Sequence, residues 1–489
     1  MSVLFVWPAA IFFLLIWWTF FSGWSGLVRY GSVALGIAGI VAFFSIFRLE
    51  RFDGDMTPTQ ISYRWKPSSE QRAREYLEQI ESNVGRIEAE PAEGPLVAED
   101  ADWPGFRGPN RDGVITGLKL RTDWDARPPK TLWRHFVGKA WSSFAVIGDL
   151  AFTQEQRGDQ EAVVAYKISD GSQVWVHTDN AEFVASVPQG GPGPRATPQF
   201  DQGKLYSLGG TGILNCLDAR TGQAVWTTNI LKDSGTPEKP TANLEWGMSG
   251  SPLIVDQFVI VIPGGTAGQS VAAYDKLTGK RVWATGQYPA TYASPTVGSL
   301  NGQKVILAPL GTGVAGHSLD DGKELWFFKW TNAPKVCGAM PVLVDDQSIL
   351  YGIGYGEGTV RLQIGQDWSV TQKWHSNRFR PKFNDFVIRD GHAYGLDDGT
   401  LTCLDIETGK VKWKSGRYGY GQVLLVDDIL LIVSEPGAVV LVPAVTSKQE
   451  PVATYQALDS SDITWNQPVL TRGRLLIRNA NEATCIDLQ

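Results

Sequence analysis

CLDARTGQAVW, residues 216–226, is the stretch that predicts the fold, because its pattern returns along most of the chain. An apolar strand ends near an Asp, a Gly-containing turn follows, and a Trp closes the next strand. Glycine permits the positive φ of a tight hairpin turn, and the flanking alternation has the period of a β-strand. Clear copies are AYKISDGSQVW (165–175), AYDKLTGKRVW (273–283), HSLDDGKELW (317–326) and CLDIETGKVKW (403–413), and weaker copies are DWSVTQKW (367–374) and VTSKQEPVATY (445–455).

The spacing of these copies predicts a β-propeller. The aromatic residues that end them stand about 40 to 60 residues apart, which suits one four-stranded blade each. Such a blade cannot bury both faces alone, so blades must stack into a closed ring, as WD40-like propellers do. The chain stops at CIDLQ, where a copy would need its turn and Trp, and PPKTLWRHF (128–136) offers an unpaired strand. Joining these ends predicts eight blades with a composite closing blade, or seven if the Tyr455 copy is degenerate.

This repeat resembles the pyrroloquinoline-quinone (PQQ) type propeller repeat. The segment DWPGFRGPNRDGV (102–114) also resembles the opening of many bacterial propellers of this group. The group includes quinoprotein alcohol dehydrogenases and the propeller lipoprotein of the outer-membrane β-barrel assembly machinery. The resemblance covers about residues 102–489 and implies the fold far more strongly than any activity, because propellers host many functions.

The N-terminal region predicts a membrane anchor. Residues 3–21 carry no charge and reach the ~20 residues that a bilayer requires. A second apolar run, Gly31–Phe47, follows a short turn. We expect two transmembrane helices within residues 1–50; the alternative, a signal peptide, lacks a basic start and a small-residue cleavage site. Residues 51–100 then predict a juxtamembrane helix (68–90) and an acidic linker, and residues 101–489 the propeller.

Two signals disagree about the side of the membrane on which the propeller lies. Arg48, Arg51, Arg64 and Lys66 follow the second apolar run, and the positive-inside rule then favours the cytoplasm. The family resemblance implies instead a bacterial inner-membrane protein with an extracytoplasmic propeller. The formal net charge of -7 argues against a nucleic-acid partner. We expect the membrane and other proteins as partners.

A candidate ligand site follows from the propeller itself. The segments that precede the innermost strands should meet at one mouth of the central channel, the default place for a small-molecule ligand. The alternative is that these residues are polar because water fills the mouth, and that the Ser/Thr-Pro pairs only shape the turn before each inner strand. Glu155 and Arg157 either add a charged pair to this site or bridge neighbouring blades. The expected mouth residues are Arg195, Trp246, Ser249, Tyr292, Lys382, Asn384, Tyr418, Gln422, Trp465 and Asn466.

The resemblance leaves an enzymatic alternative open. Quinoprotein dehydrogenases hold PQQ beside Ca²⁺, an ion that prefers oxygen ligands. Here Asn384-Asp385, Glu155 and Glu357 are the candidate oxygen ligands. The adjacent-cysteine disulfide of many such enzymes has no counterpart, because Cys216, Cys337, Cys403 and Cys485 stand far apart. We therefore predict a binding or scaffolding module without catalysis. The alternatives are a PQQ- and calcium-dependent dehydrogenase acting on an alcohol or sugar, and a ligand sensor.

Overall fold

The computed structural model describes residues 2–52, 58–83, 94, 96–185, 191–236, 245–265, 268–460 and 462–489. The chain divides into two compact units, Met1–Ser68 and Ser69–Gln489. The first unit contains two helices, α1 (Ser2–Phe21) and α2 (Gly26–Ile46), and a hairpin of strands Phe47–Phe52 and Pro58–Tyr63.

The two helices of the first unit form an antiparallel hairpin. Trp18 Nε1 donates to Ser32 Oγ at 2.8 Å, and Arg29 donates to Thr19 O at 3.2 Å across the turn. Within the described residues, α2 is long and apolar enough to cross a membrane. The apolar stretch of α1 that can be assessed, Phe12–Phe21, is shorter. One candidate membrane span is therefore present, and both an anchor and a signal sequence would meet these criteria.

In the second unit, the described residues form eight sheets arranged as the blades of a propeller. From the inner strand outwards, blade 1 consists of Ala145–Ile147, Leu150–Arg157, Gln160–Lys167 and Gln173–Asp179, and blade 2 of Gln199–Asp201, Lys204–Leu208, Ile213–Asp218 and Ala224–Asn229. Blade 3 consists of Leu253–Val255, Phe258–Val261, Val271–Asp275 and Arg281–Thr285, and blade 4 of Thr296–Leu300, Gln303–Leu310, Gly313–Ser318 and Glu324–Lys329. Blade 5 consists of Val342–Asp345, Ser348–Ile353, Gly358–Ile364 and Val370–Ser376, and blade 6 of Val387–Arg389, His392–Asp397, Thr400–Asp405 and Val411–Arg417. Blade 7 consists of Gln422–Val426, Ile429–Val433, Ala438–Pro443 and Ala453–Gln456, and blade 8 of Val469–Thr471, Arg474–Arg478, Glu482–Asp487 and Lys130–Phe136.

The prediction of eight blades with a composite closing blade is confirmed. The strand Lys130–Phe136 pairs antiparallel with the C-terminal strand Glu482–Asp487. Trp133 on this strand then donates its Nε1 to Ile168 O of blade 1 at 2.7 Å. The ring is thus closed by joining the first and last strands of the propeller.

The seams between blades explain why the repeat couples a glycine to a tryptophan. Trp175 Nε1 donates to Ala219 O of the next blade at 3.1 Å. The indole covers the turn at Gly222, where an added Cβ would lie 2.5 Å from the ring, and φ is +71°. A side chain there would therefore meet both a steric clash and backbone strain. The same pairing joins Gly171 to Trp133, Gly279 to Trp226, Gly322 to Trp283 and Gly409 to Trp374.

Two short helices complete the second unit, α3 (Ser69–Asn83) and α4 (Ile230–Asp233). The helix expected over 68–90 corresponds to α3. The C-terminal part of the expected helix and part of the linker lie outside the described residues. Leu77 of α3 is buried, and Tyr76 stacks on His135 of blade 8 with ring centroids 6.0 Å apart. The four cysteines are buried free thiols, as expected for small core residues.

Candidate binding mouth of the central channel

The segments that precede the eight inner strands meet at one end of the channel, which we call the mouth. They are joined by a girdle of side-chain to backbone hydrogen bonds, each made two residues before an inner strand. Ser143 N donates to Thr197 Oγ1 (3.1 Å), Thr197 N to Ser251 Oγ (2.9 Å), and Ser251 N to Ser294 Oγ (2.9 Å). In the same position, Met340 N of blade 5 donates to Asp385 Oδ1 at 2.7 Å. The Ser/Thr-Pro pattern therefore ties neighbouring blades together.

A connected set of aromatic rings spans the mouth. Phe383, before the inner strand of blade 6, lies 4.9 Å from Trp465 and 6.2 Å from Trp246 between ring centroids. Trp465 stacks on Trp141 at 5.0 Å, and Trp246 packs against Tyr292 at 4.9 Å. These five residues come from the segments of blades 8, 1, 6, 3 and 4 and are all half-buried. The mouth therefore offers a continuous aromatic surface, as expected for binding apolar and aromatic groups.

Lys382 adds a cation to this surface. Its Nζ lies 4.2 Å from the ring centroid of Tyr420, 5.0 Å from that of Tyr355 and 5.2 Å from that of Phe383. It also donates to Tyr420 Oη at 3.1 Å. Cation–π contacts with three rings hold the ammonium group in one place while leaving its charge. Lys382 therefore places a buried cation against the aromatic surface.

Arg195 is the second predicted cation of the mouth. It packs over Phe183 at 4.8 Å from the ring centroid and donates Nη2 to Gly191 O at 3.0 Å. Desolvation lowers the pKa of Arg195 to about 9, which leaves the guanidinium charged at neutral pH. Desolvation also raises the pKa of Tyr292 to about 12, so its phenol stays neutral.

Three other predicted residues hold the mouth together. Asn384 Nδ2 donates to Gly421 O (3.3 Å), and Asn466 Nδ2 donates to Ser142 O (2.7 Å). Gln422 Nε2 donates to Trp465 O (2.7 Å) and Phe383 O (3.0 Å). Each amide therefore bonds a neighbouring blade's segment, so these side chains support the aromatic surface.

Two further predicted residues make contacts outside the set of rings. Tyr418 packs in the hydrophobic core with Val423 and Leu425, and Tyr420 takes the place expected for it. Ser249 donates to Gly247 O at 3.3 Å within its own turn. Sequence reasoning also missed Trp141, Phe383, Tyr420 and Tyr355. The available signal was that Trp141, Phe383 and Tyr420 lie, like the predicted residues, in the segments that precede inner strands; Tyr355 instead follows the second strand of blade 5.

Glu155 and Arg157 lie at the seam between blades 8 and 1. Glu155 is fully buried, pairs with Arg157 at 3.0 Å and accepts from Tyr166 Oη at 2.7 Å. Arg478 of blade 8 donates to Gly138 O at 2.7 Å beside them. Burial alone would raise the pKa of Glu155, but Arg157 and Arg478 outweigh it and hold that pKa below its ordinary value. This arrangement favours the interpretation of the pair as a bridge between blades.

A strap formed by residues 102–117 enters the channel from the opposite end. Asp102 accepts from Gly148 N (3.1 Å) and Gly117 N donates to Asp427 Oδ1 (2.7 Å), both in turns that follow inner strands. Between these points the strap bonds the inner strands themselves. Trp103 pairs with Val146 of blade 1, Phe200 N of blade 2 donates to Pro104 O (2.7 Å), and Leu425 N of blade 7 donates to Gly113 O (2.9 Å).

Two buried arginines of the strap reach the remaining side of the channel. Arg107 donates Nη2 to Phe386 O of the blade 6 segment at 2.9 Å, and Arg111 donates to Ser251 O and Pro252 O of blade 3 at 3.1 Å. Arg107 also lies 3.7 Å from the Asp385 carboxylate. Both arginines have positive φ, 62° and 56°, a conformation uncommon outside glycine. Asp102 of the strap also pairs with Arg472 of blade 8 at 2.7 Å, so the strap lies beneath the mouth and bonds blades 1, 2, 3, 6, 7 and 8.

The residues considered as calcium ligands do not come together. Asp385 bonds Met340 N and faces Arg107, Asn384 bonds Gly421 O, and Glu155 lies buried at another seam. In the described part of the chain, no three His, Cys, Asp or Glu side chains are grouped so that they could hold a metal ion. This donor set does not fit a PQQ–calcium centre.

The repeat, the eight blades and the composite closing blade together define a PQQ-type eight-bladed propeller. The family described as outer membrane protein assembly factor BamB matches residues 119–227 and 159–415, more than half of the chain. The chain belongs to this family.

Curated relatives include both branches of the propeller group. A quinohemoprotein alcohol dehydrogenase from Comamonas testosteroni is 24% identical over 56% of this chain and 38% of its own length. BamB from Burkholderia pseudomallei (strain K96243) is 25% identical over 60% of this chain and 72% of its own length. This chain therefore matches well under half of the dehydrogenase.

Solved structures show the same fold at low identity. The crystal structure of BamB from Moraxella catarrhalis superposes with a TM-score of 0.52 at 15% identity, covering 73% of this chain and 99% of that one. That of the Comamonas testosteroni dehydrogenase gives 0.56 at 12% identity, covering 86% and 83%. Both branches fit the fold, so the function has to be argued from the mouth.

Proposed function

We propose that this protein is a membrane-anchored propeller that binds a protein partner at the mouth and acts as a scaffold, without catalysis. The observation that carries this proposal is the aromatic surface of Trp141, Trp246, Tyr292, Phe383 and Trp465 with Lys382 beside it. Half-buried aromatics that already contact one another form a rigid surface, and such residues dominate binding energy at protein interfaces. A cation beside them suits a partner segment that combines apolar and acidic side chains.

The partner can be sought by photo-crosslinking in native membranes. A benzophenone amino acid replaces Tyr292 at the mouth or, as a matched control, Lys373 on the exposed outer strand of blade 5. We expect one specific adduct from position 292, absent from position 373 and lost when Trp246 and Trp465 are both changed to Ala. Adducts of equal yield at both positions, or an adduct that survives the double change, would contradict binding at the mouth.

A dehydrogenase is the second candidate, and the Comamonas testosteroni relative is the observation that favours it. Its test is a titration of the full-length protein in detergent with PQQ and Ca²⁺, followed by tryptophan fluorescence and thermal unfolding. We expect no saturable change, because the candidate oxygen ligands are engaged elsewhere. Saturable binding that is lost in Asn384→Ala would replace the scaffold proposal by the enzymatic one.

We place the propeller outside the cytoplasm, at the bacterial inner membrane. Support comes from the family, whose description names outer-membrane assembly, whereas the basic residues after α2 favour the other side. Alkaline phosphatase and green fluorescent protein, each fused after Gln489, distinguish the two. Active phosphatase with a dark fluorescent fusion is the expected result, and the reverse pattern would place the propeller in the cytoplasm.

A further inference from the structure

The two arginines of the strap are buried in the channel and share one carboxylate of the channel wall. Arg107 is 2% exposed and Arg111 is 7% exposed. Asp385, 3% exposed, is the carboxylate that acts on both, since it lies 3.7 Å from Arg107 and raises the pKa of Arg111. The other acceptors of Arg111 are neutral, namely the carbonyls of Ser251 and Pro252 and the side-chain amide oxygen of Gln199 at 3.4 Å.

Asp385 differs from the residues at the same position of other blades in carrying a charge, and this charge faces the two arginines. In blades 2, 3 and 4 the same girdle position is filled by the neutral hydroxyls of Thr197, Ser251 and Ser294. Asp385 makes the same girdle bond through Oδ1 and directs Oδ2 to Arg107. One carboxylate thus serves two guanidinium groups. Desolvation lowers the pKa of Arg111 to about 10, and the charge of Arg107 adds to this lowering, so Arg111 remains charged at neutral pH.

Several donors of the two arginines have no acceptor among the described residues. They are Arg107 Nε and Nη1 and Arg111 Nε, all buried. A buried donor without an acceptor, and still more an unpaired buried charge, is costly. Both residues are also held at positive φ. Such strain persists where the surrounding structure imposes it and is common at ligand sites.

We propose that the strap forms an anion site, in which Arg107 and Arg111 hold one small inorganic anion, a halide or an oxyanion, at the base of the mouth. The anion would supply the missing negative charge and accept from the open N–H groups. It would also link the strap more firmly to blades 3 and 6. This site does not depend on the proposed function, because it is built from the strap and girdle.

Bromide is the direct probe, because its anomalous scattering identifies it. Crystals of the full-length protein grown with bromide should show an anomalous peak within hydrogen-bond distance of both guanidinium groups. In solution, replacing chloride by gluconate at constant ionic strength should lower the thermal midpoint. The absence of an anomalous peak, or a thermal midpoint that is the same in chloride and in gluconate, would overturn the proposal, since water would then satisfy the donors.

Charge variants separate an anion site from a merely structural cluster. Asp385→Asn keeps a side-chain oxygen for Met340 N and removes the competing charge, so the halide affinity should rise at least about tenfold. Arg111→Gln should abolish the halide effect, and Arg127→Gln, a change at an exposed arginine paired with Asp123, should leave it unchanged. Asp385→Asn remains informative if Arg111→Gln fails to fold. An unchanged or weaker halide affinity in Asp385→Asn would count against the site.

Discussion

The two ends of the central channel are built from the same eight inner strands in different ways. Beneath the mouth, the strap pairs its backbone with inner strands and is fastened at its two ends by carboxylates, and its Trp103 is 2% exposed. At the mouth, side chains meet side chains, and Trp246 and Trp465 remain half-buried. Backbone pairing and full burial stabilise a fold, whereas half-buried rings retain surface for a partner. We therefore expect changes at the strap and seams to affect mainly stability, and changes at the mouth to affect mainly the proposed binding.

The largest effect should come from removing the buried tryptophan of the strap. Trp103→Ala leaves a cavity in the core shared by blades 7, 8 and 1, so we expect a loss of about 3–5 kcal/mol in the free energy of unfolding. Trp246→Ala at the mouth should cost about 1 kcal/mol but abolish the crosslink from position 292. Denaturant unfolding of both full-length variants checks this pair. Equal stability losses would break the distinction between the two ends.

The second effect concerns a seam between blades. Gly222→Ala places a methyl group 2.5 Å from Trp175 at a φ of +71°, whereas Gly302→Ala has a φ of +75° and nothing within 4 Å. Gly302→Ala should therefore cost about 1 kcal/mol from backbone strain alone. Gly222→Ala should cost about 1–3 kcal/mol more because of the steric clash. If thermal unfolding finds the two variants alike, the indole does not cover the turn as described.

The third effect is a dependence of stability on pH at His135, which lies on the closing strand of blade 8. Burial lowers the pKa of His135 from its ordinary value of 6.5, and its neighbours are Trp133, Tyr76 and Tyr166, with Glu155 and Arg157 acting at longer range. The folded state therefore holds the neutral ring while the unfolded chain binds a proton. Stability should fall as the pH drops through 6.5, by up to about 1.4 kcal/mol per pH unit.

His135→Asn is the matched variant for this pH dependence. Its stability should follow a shallower slope between pH 6.5 and 5 when unfolding is measured at each pH. Identical slopes for the two proteins would show that another group causes the acid sensitivity.

The smallest effect should come from surface charge at the end where the strap enters. Lys304 and Asp256 form an exposed ion pair at 2.9 Å between blades 3 and 4. Lys304→Ala should cost only about 0.2–1 kcal/mol, and less still in high salt. A loss comparable to that of Trp103→Ala would mean that surface charges, rather than the strap, hold this end together.

Much of the fold could be read from local patterns. The glycine turn and the terminal tryptophan are neighbours in sequence, so each copy such as 216–226 reports one hairpin directly. The composite blade followed from Trp133 lacking earlier strands and from a C-terminus lacking its last one. Of the mouth residues, Trp246, Tyr292, Lys382 and Trp465 were identified because the segments before inner strands share a register.

The sequence by itself determined the repeat and predicted eight blades and a mouth lined by polar and aromatic residues, because these depend on spacing along the chain. Only the tertiary structure decided that Tyr420 rather than Tyr418 reaches the mouth, and that Asp385 faces Arg107 instead of a metal. It also decided that residues 102–117 cross the channel to bond six blades. These contacts join residues as distant in sequence as Gly117 and Asp427, 310 positions apart, and closing such loops leaves no periodic signal in the chain.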